Sequence, residues 1–98
     1  MSRRVTVAPE ARADLFRLNA ILADQSDDAA RRAMDTIDTG LRSLGQKPHR
    51  APERLDGRRE LMIPFGRSGY VVQFRVQEDS VVIARVYHMR EDRSGSDE

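Results

Sequence analysis

Along "PEARADLFRLNAILAD" (residues 9–24), Ala11, Leu15, Leu18 and Leu22 recur at spacings of four, three and four. That is one apolar stripe of a helix. Pro9 suits a first helical turn, and Glu10 sits in the favourable N-terminal field. In "SDDAARRAMDTIDTGLRSLG" the stripe is Ala30, Met34, Ile37, Leu41 and Leu44. Ser26 is a good N-cap, Asp27 and Asp28 complement the helix dipole, and Gly45 followed by Pro48 ends the helix. With so few residues between them, the two helices should form an antiparallel hairpin.

Alternation by two marks the strands. "RRVTVA" predicts a short first strand over 3–7, and a loop with two prolines, "QKPHRAPERLDG" (46–57), leads to three more. Leu61, Ile63 and Phe65 share one face of the second strand. Tyr70, Val72, Phe74 and Val76 share one face of the third; Val82, Ala84 and Val86 do so in the fourth. These rows are expected against the helices. "GRSG" and "QEDS" are the hairpin turns, and Pro64, which cannot donate to a ladder, puts its strand at an edge or a bulge. By the same parity the opposite face carries Met62, Val71, Gln73, Arg75, Val81, Ile83, Arg85, Tyr87 and Met89. Arginines among β-branched and aromatic side chains make that face a plausible contact surface. The expected fold is α+β: an N-terminal strand, then an antiparallel helical hairpin packed on a mainly antiparallel β-sheet, in the order β-α-α-β-β-β.

Composition narrows the chemistry. The 98 residues fit one small domain, expected to span 1–92, with 93–98 as a flexible tail because "EDRSGSDE" holds no large apolar residue. No cysteine is present, and His49 and His88 are the only histidines, so neither a disulfide framework nor a metal site is expected. "GRSG" is too short to cradle a phosphate and joins strand to strand, so no cofactor is expected. No apolar run approaches the ~20 residues that span a bilayer, nor is there a signal-peptide core, which implies a soluble, cytoplasmic protein.

The net charge is +1, which argues against nonspecific polyanion binding, yet sixteen of the seventeen basic residues are arginine and Lys47 is the only lysine. Arginine holds carboxylate or phosphate well and transfers protons poorly; high-GC codon usage would give the same bias. Asp56, Glu60 and Glu91 each have an arginine within two residues, so solvated ion pairing explains them better than a carboxylate dyad.

The stretch "RRELMIPFGRSGYVVQFRVQEDSVVIARVYHMRED" resembles the second half of the RelE/ParE superfamily of toxins from type II toxin–antitoxin systems. The shared features are Arg67 before Gly69-Tyr70, Arg75-Val76 ending a strand, and His88, Arg90 and Glu91 after the last strand. In the first helix, Ala11, Asp14 and Leu15 match the family's "A-x-x-D-L". The resemblance covers about residues 3–92.

It implies a cognate ParD-like, DNA-binding antitoxin as partner and one of two targets. ParE-like members inhibit DNA gyrase without hydrolytic chemistry; RelE-like members are ribosome-dependent mRNA endoribonucleases that use lysines, arginines and a C-terminal tyrosine. This chain keeps Arg67 and Arg90 but offers Arg54, Arg58 and Arg59 where lysines would be expected, and no aromatic follows Tyr87. Holding groups outnumber proton-transfer groups, which favours the ParE-like reading, with no catalytic residues. Its expected target-binding residues are Arg67, Arg75, Arg85, His88 and Arg90. The antitoxin is expected on the apolar surface of Leu15, Leu18, Leu22, Met34, Ile37 and Leu41. Under the nuclease alternative, His88 is the base and Arg67 and Arg90 hold the phosphate; otherwise His88 is a packed strand-end histidine. A non-toxic member retained as a binding module is a third possibility. Neither a membrane nor direct sequence-specific nucleic-acid binding is implied.

Overall fold

The computed structural model describes residues 2–54 and 56–91, so the expected tail at 93–98 lies outside the described residues. Strand β1 (Arg4–Val7) leads into helix α1 (Pro9–Ala23) and helix α2 (Asp27–Ser43). A 3-10 turn at Pro48–Arg50 follows, and then strands β2 (Arg59–Phe65), β3 (Ser68–Val76) and β4 (Ser80–His88). The sheet order is β1-β4-β3-β2, with β1 parallel to β4 and the other pairs antiparallel. Pro64 accordingly lies on an edge strand.

The helix starts have local causes. Ser26 Oγ accepts the Ala29 N–H at 3.1 Å, which satisfies one of the amides a helix leaves unpaired. Pro9, which has no N–H to lose, opens α1, while the preceding Ala8 donates its own N–H to the Ile83 carbonyl at 2.9 Å. That bond anchors the first turn of α1 to the middle of β4.

Between hairpin and sheet lies one core, whose largest fully buried side chains include Phe74, Ile37, Leu44 and Ile83. The α1 and α2 stripes supply Ala11, Leu18, Ala30, Ala33, Ile37, Leu41 and Leu44 as buried residues. This corrects the expected antitoxin surface: Leu18, Ile37 and Leu41 are buried in the core, and Leu15, Leu22 and Met34 are half-buried against it. The large apolar side chains that α1 leaves exposed are Phe16, at 72% exposure, and Ile21, at 54%.

The second correction is in β4. Gln73 pairs with Arg85, but the next residue of β3, Phe74, pairs with Ile83, so Ala84 has no partner and forms a β-bulge. One extra residue resets a period of two. Before the bulge, Val81 and Ile83 point into the core; after it, Val86 does. Val82 and Ala84, expected against the helices, instead line a cleft with Arg75 and Arg85.

The β2–β3 turn has two residues, Gly66 and Arg67, between the paired Phe65 and Ser68. Gly66 has φ +60° and Arg67 does not have positive φ, the sign pattern of a type II′ turn. Gly69 is needed for another reason: a Cβ there would run into the Ile63 carbonyl.

Candidate functional site

Val82 and Ala84 form the apolar floor of a cleft of about 310 Å³, bordered by Ala8, Glu10, Arg58, Arg75 and Arg85. It owes its shape to the bulge, which turns two small or medium apolar side chains outward beside three guanidinium groups.

Each arginine is tethered by part of its fork. Arg85 donates from Nε to Asp14 Oδ2 at 2.8 Å and from Nη2 to Oδ1 at 3.0 Å. It also lies 4.8 Å over the Tyr87 ring. Arg75 donates from Nη1 to the Asp56 carbonyl at 3.1 Å. Arg58 donates from Nη1 to Gln73 Oε1 at 3.1 Å, and Gln73 donates in turn to Glu60 Oε2 at 2.8 Å. Among the described residues, Arg58 Nε is buried with no hydrogen-bond partner, an Asp56 oxygen being 3.8 Å away. Leaving such a donor unpaired has a cost in a folded protein.

Asp14 is the organising group. Its Oδ2 accepts the Val86 backbone N–H at 2.9 Å as well as Arg85. Strand β1 ends opposite Ile83, so the carboxylate serves a β4 amide beyond the reach of β1. Arg17 links it to Glu91, whose Oε2 lies 2.5 Å from Arg17 Nη1 and whose Oε1 accepts the His88 N–H at 2.8 Å. Burial would raise the Asp14 pKa, but the Arg85 and Arg17 bonds, the Val86 N–H and the Arg85 charge outweigh it and hold the carboxyl below the usual range. Arg85 moves the opposite way, raised chiefly by its bond to Asp14. Asp56 is also lowered, first by the Arg58 N–H that it accepts at 3.0 Å.

The expected target-binding residues fall into two groups. Arg75 and Arg85 belong to the cleft. Arg67, His88 and Arg90 lie at the opposite end of the sheet, where Gly69 accepts the Met89 N–H and Tyr70 pairs with His88. Arg67, in the turn before β3, and Arg75 are eight positions apart, roughly 26 Å at the usual strand rise, whereas Arg85 and His88 are three positions apart on β4. Arg67 and Arg90 are exposed. His88 is half-buried, stands edge-on to Tyr70 at 5.6 Å between centroids, and accepts the Arg90 N–H on Nδ1 at 3.2 Å. Burial raises the pKa of Tyr70 itself.

Arg58 and Glu10 were not among the expected site residues. Arg58 was legible in principle, since Arg58, Glu60 and Met62 alternate on the face opposite Leu61 and Ile63. Glu10 was not, because its place depends on how α1 leaves β1. Glu91 pairs with Arg17 on α1, a partner distant in sequence. Among the described residues no cluster of histidine, cysteine and carboxylate side chains could hold a metal ion. No described helix is long and apolar enough to cross a membrane.

The family model for the ParE toxin of the parDE type II toxin–antitoxin system matches residues 5–93. This chain belongs to the ParE toxin family. Two curated relatives come from Caulobacter vibrioides. The Toxin RelE3 is 40% identical over 91 residues, covering 93% of this chain and 99% of the relative. The Toxin RelE1 is 34% identical over 93 residues, covering 95% and 100%. Among solved structures, a chain of the chromosomal ParDE system of P. aeruginosa superposes with a TM-score of 0.75 at 21% identity, over 89% of this chain and 96% of that one. A chain of the toxin–antitoxin complex RelBE2 of Mycobacterium tuberculosis gives 0.56 at 25% identity, over 90% and 99%. The chain is therefore a toxin of a type II toxin–antitoxin system with the ParE/RelE fold. Within that fold, Asp14 of the "A-x-x-D-L" pattern closes the β4 edge and tethers a cleft arginine.

Proposed function

We propose that this toxin acts in the cytoplasm by binding DNA gyrase and blocking its cycle, and that a cognate antitoxin neutralises it. The observation that carries the reading is the state of His88. Its Nδ1 accepts the Arg90 N–H at 3.2 Å, two residues along the chain. The one side chain expected to take a proton from a ribose hydroxyl thus has one ring nitrogen engaged within the protein. Lys47, the only lysine, is exposed in the loop between α2 and the 3-10 turn and belongs to no strand of the sheet. What remains is a set of arginines that hold and orient, which suits an inhibitor that binds a protein.

The antitoxin covers the outer side of α1. There Phe16 and Ile21 are exposed with Ala13 and Ala20, an apolar surface on a helix whose buried residues are Ala11, Asp14 and Leu18. That the parDE family model matches most of the chain supports the partner, as do solved structural relatives that come from toxin–antitoxin complexes.

The RelE names of the two Caulobacter relatives support a second reading, a ribosome-dependent endoribonuclease. Supercoiling by purified gyrase in the presence of the toxin, beside primer extension on translated messages, separates the two. Inhibition without cleavage is expected; cleavage without inhibition replaces the first reading by the second.

A further inference from the structure

The geometry points to the Arg58–Arg75–Arg85 cleft as a socket for a single carboxylate side chain of an acidic peptide segment. The donors left over after internal tethering are the first reason. Arg85 uses Nε and Nη2 on Asp14, Arg75 uses Nη1 on Asp56, and Arg58 uses Nη1 on Gln73. Among the described residues, each guanidinium therefore keeps at least one Nη group uncommitted at the rim of one cleft. Their tethered forks are already oriented, so little side-chain freedom is lost when an anion is bound.

The floor is the second reason. Val82 and Ala84 are half-exposed and apolar, the surface that the methylenes of a glutamate or a neighbouring aliphatic residue would cover. The surroundings are the third. Glu10 borders the cleft, and Asp56 and Glu60 are held next to Arg58 and Arg75 by the bonds given above. A nucleic-acid backbone needs an unbroken track of cations. Here Glu10, Asp14, Asp56 and Glu60 interrupt the arginines on several sides, which denies a polyanion such a track and disfavours more than one added negative charge. The net charge of +1 gives no wider positive field to draw a polyanion in.

Assigning that peptide to the antitoxin rests on the proposed function; the binding itself does not, and a toxin inert towards gyrase could still show it. The experiment titrates the full chain with a blocked hexapeptide holding one central glutamate among leucine and serine residues, followed by backbone and arginine side-chain NMR shifts. The same peptide with glutamine for glutamate and a short single-stranded RNA are the other arms. Saturable shifts at Val82, Ala84 and the three cleft arginines with the glutamate peptide alone are expected. Arg75→Gln should weaken binding about tenfold or more, the loss of one charge-assisted contact, while Arg67→Ala leaves it unchanged. Should Arg75→Gln fail to fold, Val82→Glu, which supplies a competing carboxylate at the half-exposed floor, should abolish the same shifts. Equal binding of the glutamine peptide, shifts confined to another surface, or preferential binding of RNA at the cleft would overturn the proposal.

Discussion

One Asp14 oxygen serves two donors at once, Arg85 Nε at 2.8 Å and the Val86 backbone N–H at 2.9 Å. A single helix side chain thereby finishes the edge of β4 where β1 stops and fixes the direction of an arginine in the cleft. Removing one partner of such a group leaves the others desolvated and unpaired, which costs more than the bond itself contributes. Because Arg85 is partly exposed, Asp14→Ala is expected to lower stability by about 2–3 kcal/mol, near the lower end of the range for breaking buried pairs. Urea denaturation measures this, and a change below about 0.5 kcal/mol, the level of an ordinary surface substitution, would contradict it.

The same carboxylate sets a pH dependence. Its folded pKa lies below its unfolded value, so its contribution is complete above the unfolded carboxylate pKa of about 4 and is lost as pH falls through the folded value. Stability should therefore decline as the solution is acidified below about pH 4, and the decline should be shallower in Asp14→Asn, which cannot titrate there. Parallel stability–pH curves for the two proteins would show that Asp14 is not the group responsible.

The bulge at Ala84 makes neighbouring residues unequal. Ile83 is fully buried in the core, whereas Val82 is half-exposed at the cleft. Ile83→Ala is expected to cost about 2–5 kcal/mol and Val82→Ala less than about 1 kcal/mol. The opposite order in thermal or urea denaturation would mean that the strand alternates without interruption.

Much of the fold was legible because its causes are local. The α1 stripe from Ala11 to Leu22, Ser26 as a cap and the Gly66 turn each follow from residues within a few positions of one another. The bulge was not legible, because "SVVIARVYH" alternates acceptably in either parity and only pairing with Phe74 and Gln73 decides between them. That one residue moved Val82 and Ala84 out of the expected core and gave the cleft its floor. The site was half-legible for a related reason: Arg75 and Arg85 are readable from the sheet, but Asp14 and Glu10 reach them from α1 across some seventy residues of chain. The apolar stripes identified the helices and, for the same reason, could not also supply the exposed antitoxin surface.

His88 offers a sharper distinction between mechanisms. If it only packs on Tyr70 and accepts the Arg90 N–H, His88→Gln, which retains an acceptor, should leave growth inhibition within a few-fold of the parent chain. A proton-transfer role contributes about a hundredfold or more, so a loss of that size with folding intact would favour the nuclease. Dose-controlled expression without antitoxin, followed by growth rate, reads the difference.

The most direct measurement is supercoiling by purified gyrase with increasing amounts of the refolded toxin, alone and after addition of the cognate antitoxin. Inhibition at micromolar toxin, relieved by the antitoxin and reduced by Arg67→Ala or Arg90→Ala, is the predicted result. Undiminished supercoiling at those concentrations, with toxin that still arrests growth, would contradict it.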